Sequence, residues 1–272
     1  MNFKRKENLK NCRILISNDD GIDAPGIKVL EEEIRKICDD VWFVAPRDQK
    51  SGASHSVSPG LSNLEGIPEN DKLPTGIRKI DNRHFSVSGT PADCVYCAVN
   101  FIIKDKLPDL VVTGINCGRN VAEDVGYSGT VGAAAEGIVL GIPAVAFSQH
   151  LEKGKTDWEI ARHYIAPLLE KITSLAFSRN TLVSVNFPNI SLAALKGIDV
   201  SRQGEWRFEE DPREFELSGK DNYDDEPLPK FDIPSDIESW KNNKISVTPL
   251  KLDMTDYASI APLSKVLKDL AG

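Results

Sequence analysis

The chain has 272 residues, 40% of them hydrophobic, and a formal net charge of −8 at pH 7. That length suits one large α/β domain or a domain with an appendage, and the apolar content supplies a sizeable core. The negative charge argues against a general binder of nucleic-acid polymers or anionic membranes, and no 18-residue apolar run reads as a membrane span.

Residues 1–11 are polar and basic with no apolar run behind them, so they do not read as a secretory signal, and a cytoplasmic location is the default expectation. Strand-like runs at 13–17, 41–45, 84–87, 110–113, 144–147 and 182–185 alternate with helix-like stretches at 26–37, 91–103, 129–140 and 157–175. This rhythm predicts βαβ units and a mostly parallel sheet. The stretch 59–76, rich in Pro, Gly, Asn and Asp, reads as a long loop or hairpin. After about Ile198 the character changes. Segment 204–243 carries many acids, four prolines and six large aromatics (Trp206, Phe208, Phe215, Tyr223, Phe231, Trp240). It is either a disordered acidic insert or an arm whose aromatics dock on a partner subunit, and the aromatics favour the arm. A strand at 244–250 and a helix at 256–270 close the chain, which divides into a core (12–203), the arm (204–243) and a C-terminal strand and helix (244–272). There is no internal repeat. The five cysteines are scattered, and Cys94 and Cys97 stand at helical spacing with no second pair to complete a zinc site, so reduced, packed thiols are expected.

Candidate chemistry lies in the loops that follow the strands, where open α/β sheets bind ligands. Asn18-Asp19-Asp20-Gly21 leaves the first strand with two adjacent carboxylates and nothing basic from Ser17 to Ala24. A divalent cation would relieve their repulsion; a polar turn with an N-cap is the plainer alternative. Residues 45–56 form a hydroxyl-rich loop with Arg47, Lys50, Ser51, Gly52, Ser54 and His55, suited to an oxyanion or to neutral oxygen ligands. Thr90, Pro91 and Asp93 make a cap-like pattern that is structural first. In 113–120, Asn116 offers a neutral oxygen, which with Asp19, Asp20 and a hydroxyl would make a hard site for Mg²⁺, Mn²⁺ or Ca²⁺ rather than zinc. Ser128-Gly129-Thr130 opens a helix of small residues, a ready phosphate site at a helix N-terminus. Asn186 closes a late strand as a turn residue. There is no G-x-x-x-x-G-K-[ST] loop, no G-x-G-x-x-G after a strand, no G-x-S-x-G elbow and no H-E-x-x-H. The adjacency of Asp19 and Asp20 also differs from the one-residue spacing of aspartyl-phosphate phosphatases.

Together, ILISNDDGIDAPGI, APRDQKSGASHS, SGTPADCV, PDLVVTGINCGRN, YSGTVGAAAEG and the late SVTPLKLDMT resemble the stationary-phase survival protein E (SurE) nucleotidase family, in family order and across most of the chain. The resemblance implies a Rossmann-like three-layer α/β sandwich with a C-terminal oligomerisation arm. It implies a metal-dependent phosphomonoesterase of nucleoside 5′-monophosphates, with 3′-nucleotides and short polyphosphate as further substrates. It implies one divalent metal, Mg²⁺ or Mn²⁺, per subunit at Asp19, Asp20, Ser51 and Asn116. Phosphate and substrate contacts would come from Asn18, Gly52, His55, Ser128, Gly129 and Thr130, in a homodimer or homotetramer. Two features depart from the family pattern. His55 stands where asparagine is usual, as a candidate leaving-group acid beside the alternative of a water. The stretch from Gly118 to Ala122, with Arg119, is bulkier and more basic than usual.

Overall fold

Arg13–Ser17 is buried at every position, as an apolar strand covered on both sheet faces must be. Its side chains alternate: Ile14 and Ile16 join one core cluster and Leu15 the other. The computed structural model describes residues 2–58, 73–152, 154–176, 178–205 and 232–268. Its strands are β1 (Arg13–Ser17), β2 (Asp40–Pro46), β3 (Ile77–Lys79), β4 (His84–Val87), β5 (Leu110–Cys117), β6 (Ala144–Gln149), β7 (Thr181–Phe187), β8 (Ile198–Val200) and β9 (Ile245–Lys251). They form one sheet in the order β3-β4-β2-β1-β5-β6-β7-β9-β8. The six strands from β4 to β7 in that order are mutually parallel; β3 on β4 and β9 on β7 are the antiparallel pairs.

Helices α1 (Pro25–Ile34) and α5 (Glu159–Thr173) cover one face; α2 (Pro91–Cys97) and α4 (Gly129–Val139) cover the other. A four-residue helix, α3 (Asp124–Tyr127), precedes α4. The expected three layers and parallel sheet are present. β1 has β2 on one side and β5 on the other, so the winding reverses between β1 and β5. The crevice outside their C-terminal ends is therefore the topological switch point, the usual ligand site of such sheets. Thr90 and Asp93 do form a capping box on α2, and Asp93 also accepts bonds from the Ser58 N–H at 3.0 Å and the Ser58 hydroxyl at 2.6 Å.

Three elements differ from the expectation. β5 does not stop at 113: a register slip between Thr113 and Asn116 lets the strand run on to Cys117, so Asn116 sits on a bulged strand end rather than in a loop. β3 pairs antiparallel with β4 just after the 59–76 stretch, of which 59–72 lies outside the described residues. Segment 204–243 is not one uniform arm. Residues 206–231, with five of the six aromatics, lie outside the described residues, but α6 (Asp236–Lys241) is a capped helix with buried Asp236, Ile237 and Ser239. β9 lies inside the sheet, between β7 and β8. The closing helix α7 (Tyr257–Leu267) buries none of its residues, and Leu263 and Val266 are more than half exposed.

The described cysteines are all free thiols. Cys94 and Cys97 are fully buried on α2, and burial pushes the Cys97 thiol up to about 12, consistent with packing. Among the described residues no helix is long and apolar enough to cross a membrane.

Candidate functional site

β1 delivers Asn18-Asp19-Asp20-Gly21 to the switch point. The Asn18 Nδ2 donates to the Gly21 carbonyl at 2.8 Å and closes the turn. Asn18 is wholly buried, yet its Oδ1 has no hydrogen-bond partner among the described residues. Asp19 is 3% exposed. The Thr130 hydroxyl donates a short hydrogen bond to its carboxylate. Burial pushes Asp19 up to about 6; Thr130's bond pulls it down, and the Asp20 charge raises it again. Asp20, raised mainly by burial, accepts from the Cys117 N–H at 3.0 Å. This ties the acid pair to the bulged end of β5. There the Asn116 Nδ2 is committed to the Gly118 carbonyl at 2.9 Å, so Oδ1 is the atom Asn116 can offer a ligand.

The loop after β2 is sewn to this edge. The Lys50 N–H donates to the Asp19 carbonyl at 2.7 Å, and the Ser54 N–H and hydroxyl donate to the Tyr127 and Gly126 carbonyls at 3.0 and 2.7 Å. Ser51 is exposed and its hydroxyl accepts from the Gln49 side chain at 2.9 Å. The start of α4 is pressed against both neighbours. A Cβ on Gly129 would lie 2.8 Å from the Asp19 Cβ, and one on Gly132 would lie 2.2 Å from the Ser54 carbonyl oxygen. Only glycine permits that approach. Ser128 caps the helix by accepting from the Val131 N–H at 3.1 Å.

One cleft of about 360 Å³ gathers Asp19, Ser51, Gly52, Asn116 and Ser128, together with Cys117, Arg119, Asn120, Asp124 and Tyr127. Four expected substrate contacts, Asn18, His55, Gly129 and Thr130, are not among the residues lining it, nor is the expected metal ligand Asp20; Asn18 and Gly129 are buried beside it. Thr130 is fully buried and both its hydroxyl and its backbone bond Asp19, so the helix N-terminus already faces a protein carboxylate. His55 lines an adjoining, mainly apolar cleft of about 410 Å³, and its Nε2 lies 2.8 Å from Glu136 on α4. Ser128 borders both clefts.

Sequence reasoning missed Glu136 and the clamp on residues 118–122. The Asn186 side chain, read as a turn residue, accepts from the Asn120 N–H at 2.8 Å and donates to the Asn120 carbonyl at 3.0 Å. Asn120 in turn donates to the Ser148 hydroxyl at 2.8 Å. Such long-range pairs, 66 residues apart in sequence for Asn120 and Asn186, leave no local signature.

The family model described as Survival protein SurE matches residues 14–210, which include every candidate ligand named above. The chain belongs to the SurE family. The protein of Parvibaculum lavamentivorans described as 5′-nucleotidase SurE is 39% identical, over 98% of this chain and 95% of its own length. Its counterpart of the same description from Paramagnetospirillum magneticum is 41% identical over 94% of this chain and 95% of its own. The crystal structure of the SurE protein from Aquifex aeolicus superposes with a TM-score of 0.74 at 33% identity, covering 93% of this chain and 99% of that one. The residues lining the switch-point cleft all fall within the matched stretch.

Proposed function

We propose that this protein is a metal-dependent 5′-nucleotidase that hydrolyses nucleoside 5′-monophosphates to nucleoside and phosphate, with 3′-nucleotides and short polyphosphate as further substrates. The observation that carries this reading is the convergence of Asp19, Ser51, Asn116 and Ser128 on one cleft at the switch point, with Asp20 hydrogen-bonded to its rim.

The donor set fits one hard divalent cation per subunit, Mg²⁺ or Mn²⁺. All four donors, Asp19, Asp20, Ser51 and Asn116, offer oxygen. Two further features support the fit: Asn18 Oδ1 is buried without a partner among the described residues, and Asp19 is raised to about 6, chiefly by burial and further by the Asp20 charge, both of which a bound cation would offset. A bound ion there supplies Lewis acidity toward a phosphate oxygen and makes water a better nucleophile at neutral pH.

The protein's own groups do the rest. Asp19 is held rigid by Thr130 and by the packing of Gly129 against it. Ser128 lines the cleft at the start of α4, and its hydroxyl, which accepts from the Val131 N–H, keeps its own proton to donate to the phosphoryl oxygens as charge develops on them in an in-line displacement. Water adds to phosphorus and gives up a proton to solvent, the P–O bond to the nucleoside breaks, and the leaving 5′-oxygen takes a proton from solvent, so that nucleoside and phosphate are the products. His55 is assigned to holding its loop on α4, since its Nε2 is engaged with Glu136. A homodimer or homotetramer in the cytoplasm, joined in part through the exposed apolar side of α7, completes the proposal.

Purified protein with Mn²⁺ and a panel of nucleoside monophosphates should release inorganic phosphate, and EDTA should stop it. Tight nucleotide binding without phosphate release would instead mark a regulatory nucleotide-binding module.

A further inference from the structure

The segment 118–122, straight after β5, is held at Asn120 and at Ala122 by residues much later in the chain. Asn120 is bonded to Asn186 and Ser148. The Ala122 N–H donates to Asp236 on α6 at 3.1 Å, and the Gln203 side chain donates to the Ala122 carbonyl at 2.8 Å. Val121, Ala122 and Ile237 form a small cluster with no exposed surface. Arg119 therefore projects from a fixed backbone. Its guanidinium lies over the Trp240 ring of α6, 4.4 Å from the centroid, and Trp240 meets the His150 ring at 4.9 Å. Burial and the Arg119 charge push His150 below its ordinary value. Arg119 also lines the 360 Å³ cleft that holds Asp19, Ser51 and Ser128, and it is the one cationic side chain among the described residues lining it.

We infer that Arg119, backed by Trp240, is the specificity-determining residue that receives the nucleobase of the substrate by stacking. This rests on the nucleotidase reading and extends it. A guanidinium is planar and delocalised, stacks on aromatic faces, and is less strongly hydrated than an ammonium. Its contact with Trp240 fixes the plane in advance, which lowers the ordering cost of a stacked ligand. A second anion is the poorer fit, because Asp19 and Asp124 line the same cleft as Arg119, and the proposed divalent cation is already met by Asp19, Asp20 and the substrate's own phosphate. Stacking tolerates any base, since every base has a π-face. The cleft thus prefers nucleotides over other phosphomonoesters while discriminating weakly among nucleobases.

Steady-state kinetics with a nucleoside 5′-monophosphate and with ribose 5-phosphate test this. The two share the 5′-leaving oxygen and differ in the base. In Arg119→Ala the ratio of kcat/KM for the nucleotide to that for ribose 5-phosphate falls about tenfold, the range of one lost base stack, and the loss appears in KM rather than kcat. Arg119→Lys, which keeps a charge and a long stem, falls with it, because an ammonium offers no plane. Trp240→Leu moves the ratio in the same direction. An unchanged ratio in Arg119→Ala, or full recovery in Arg119→Lys, overturns the assignment. Wild-type protein that hydrolyses neither ester contradicts the nucleotidase reading instead, so the two failures are distinguishable.

Discussion

Asp19 concentrates the electrostatic tension of the site. Its folded value of about 6 stands above the ordinary 3.8, so ionising it costs stability. The cost is absent below about pH 4, grows as pH rises toward 6 and is complete above that. At about 1.4 kcal/mol per unit it is on the order of 3 kcal/mol. Asp19→Asn keeps an acceptor for Thr130 and removes the charge. In EDTA its melting temperature should therefore exceed that of wild type at pH 7.5, with the advantage gone at pH 4. Its phosphatase activity should nonetheless be nearly abolished; activity within about threefold of wild type, under 1 kcal/mol of transition-state stabilisation, would sink the metal site. His55→Asn should change turnover at neutral pH by less than about tenfold, because an amide can still donate to Glu136. A loss of roughly 100-fold with metal binding intact would restore His55 as a proton donor. The acid pair was legible in the sequence because adjacent carboxylates after an apolar strand are a local pattern. Thr130's turn toward Asp19 was not, since it depends on how closely α4 meets the end of β1.

At the scale of elements, α4 sets the site by proximity. Its glycines let Asp19 and the loop after β2 approach its first turns. Gly132→Ala places a methyl 2.2 Å from the Ser54 carbonyl, so the loop carrying Ser51 must move. Helix propensity alone would favour alanine by about 1 kcal/mol. The expected result is the reverse of that preference: a lower melting temperature and at least a tenfold loss of phosphate release. A stabilised, fully active variant would show that the loop is not positioned by α4. The sequence revealed β1, β2, β4, β6 and β7 through their apolar runs, and α4 through its cap and small residues. It did not reveal the extension of β5 through its bulge, because glycine and asparagine there read as a loop. It did not reveal α6 either. That helix has one turn and a half, and its stability comes from the Ser235 capping box and from Asp236 bonding Ala122 and Gly204, distant in sequence.

Across the whole molecule, strand order explains why residues from 19 to 128 meet: the reversal of winding between β1 and β5 opens one crevice, and the successive βα loops empty into it. Among the described residues the outer face of α7 has no partner, since none of the helix is buried. Replacing 206–231 with a short Gly–Ser linker, or making Leu263→Asp on α7, should lower the mass measured by light scattering while leaving the sheet's melting transition nearly unchanged. An unchanged mass in both variants would remove these segments from the subunit interface. The central claim is that the oxygen donors at the switch point hold the cation on which nucleotide hydrolysis depends. The most direct test is phosphate release from a nucleoside 5′-monophosphate by chelator-treated protein as Mn²⁺ is added back, with wild type beside Asp20→Asn, which retains an acceptor for the Cys117 N–H. The account predicts no turnover without metal, full recovery in wild type, and at least tenfold more Mn²⁺ needed by the variant. Turnover that persists in chelator, or two superimposable Mn²⁺ curves, would contradict it.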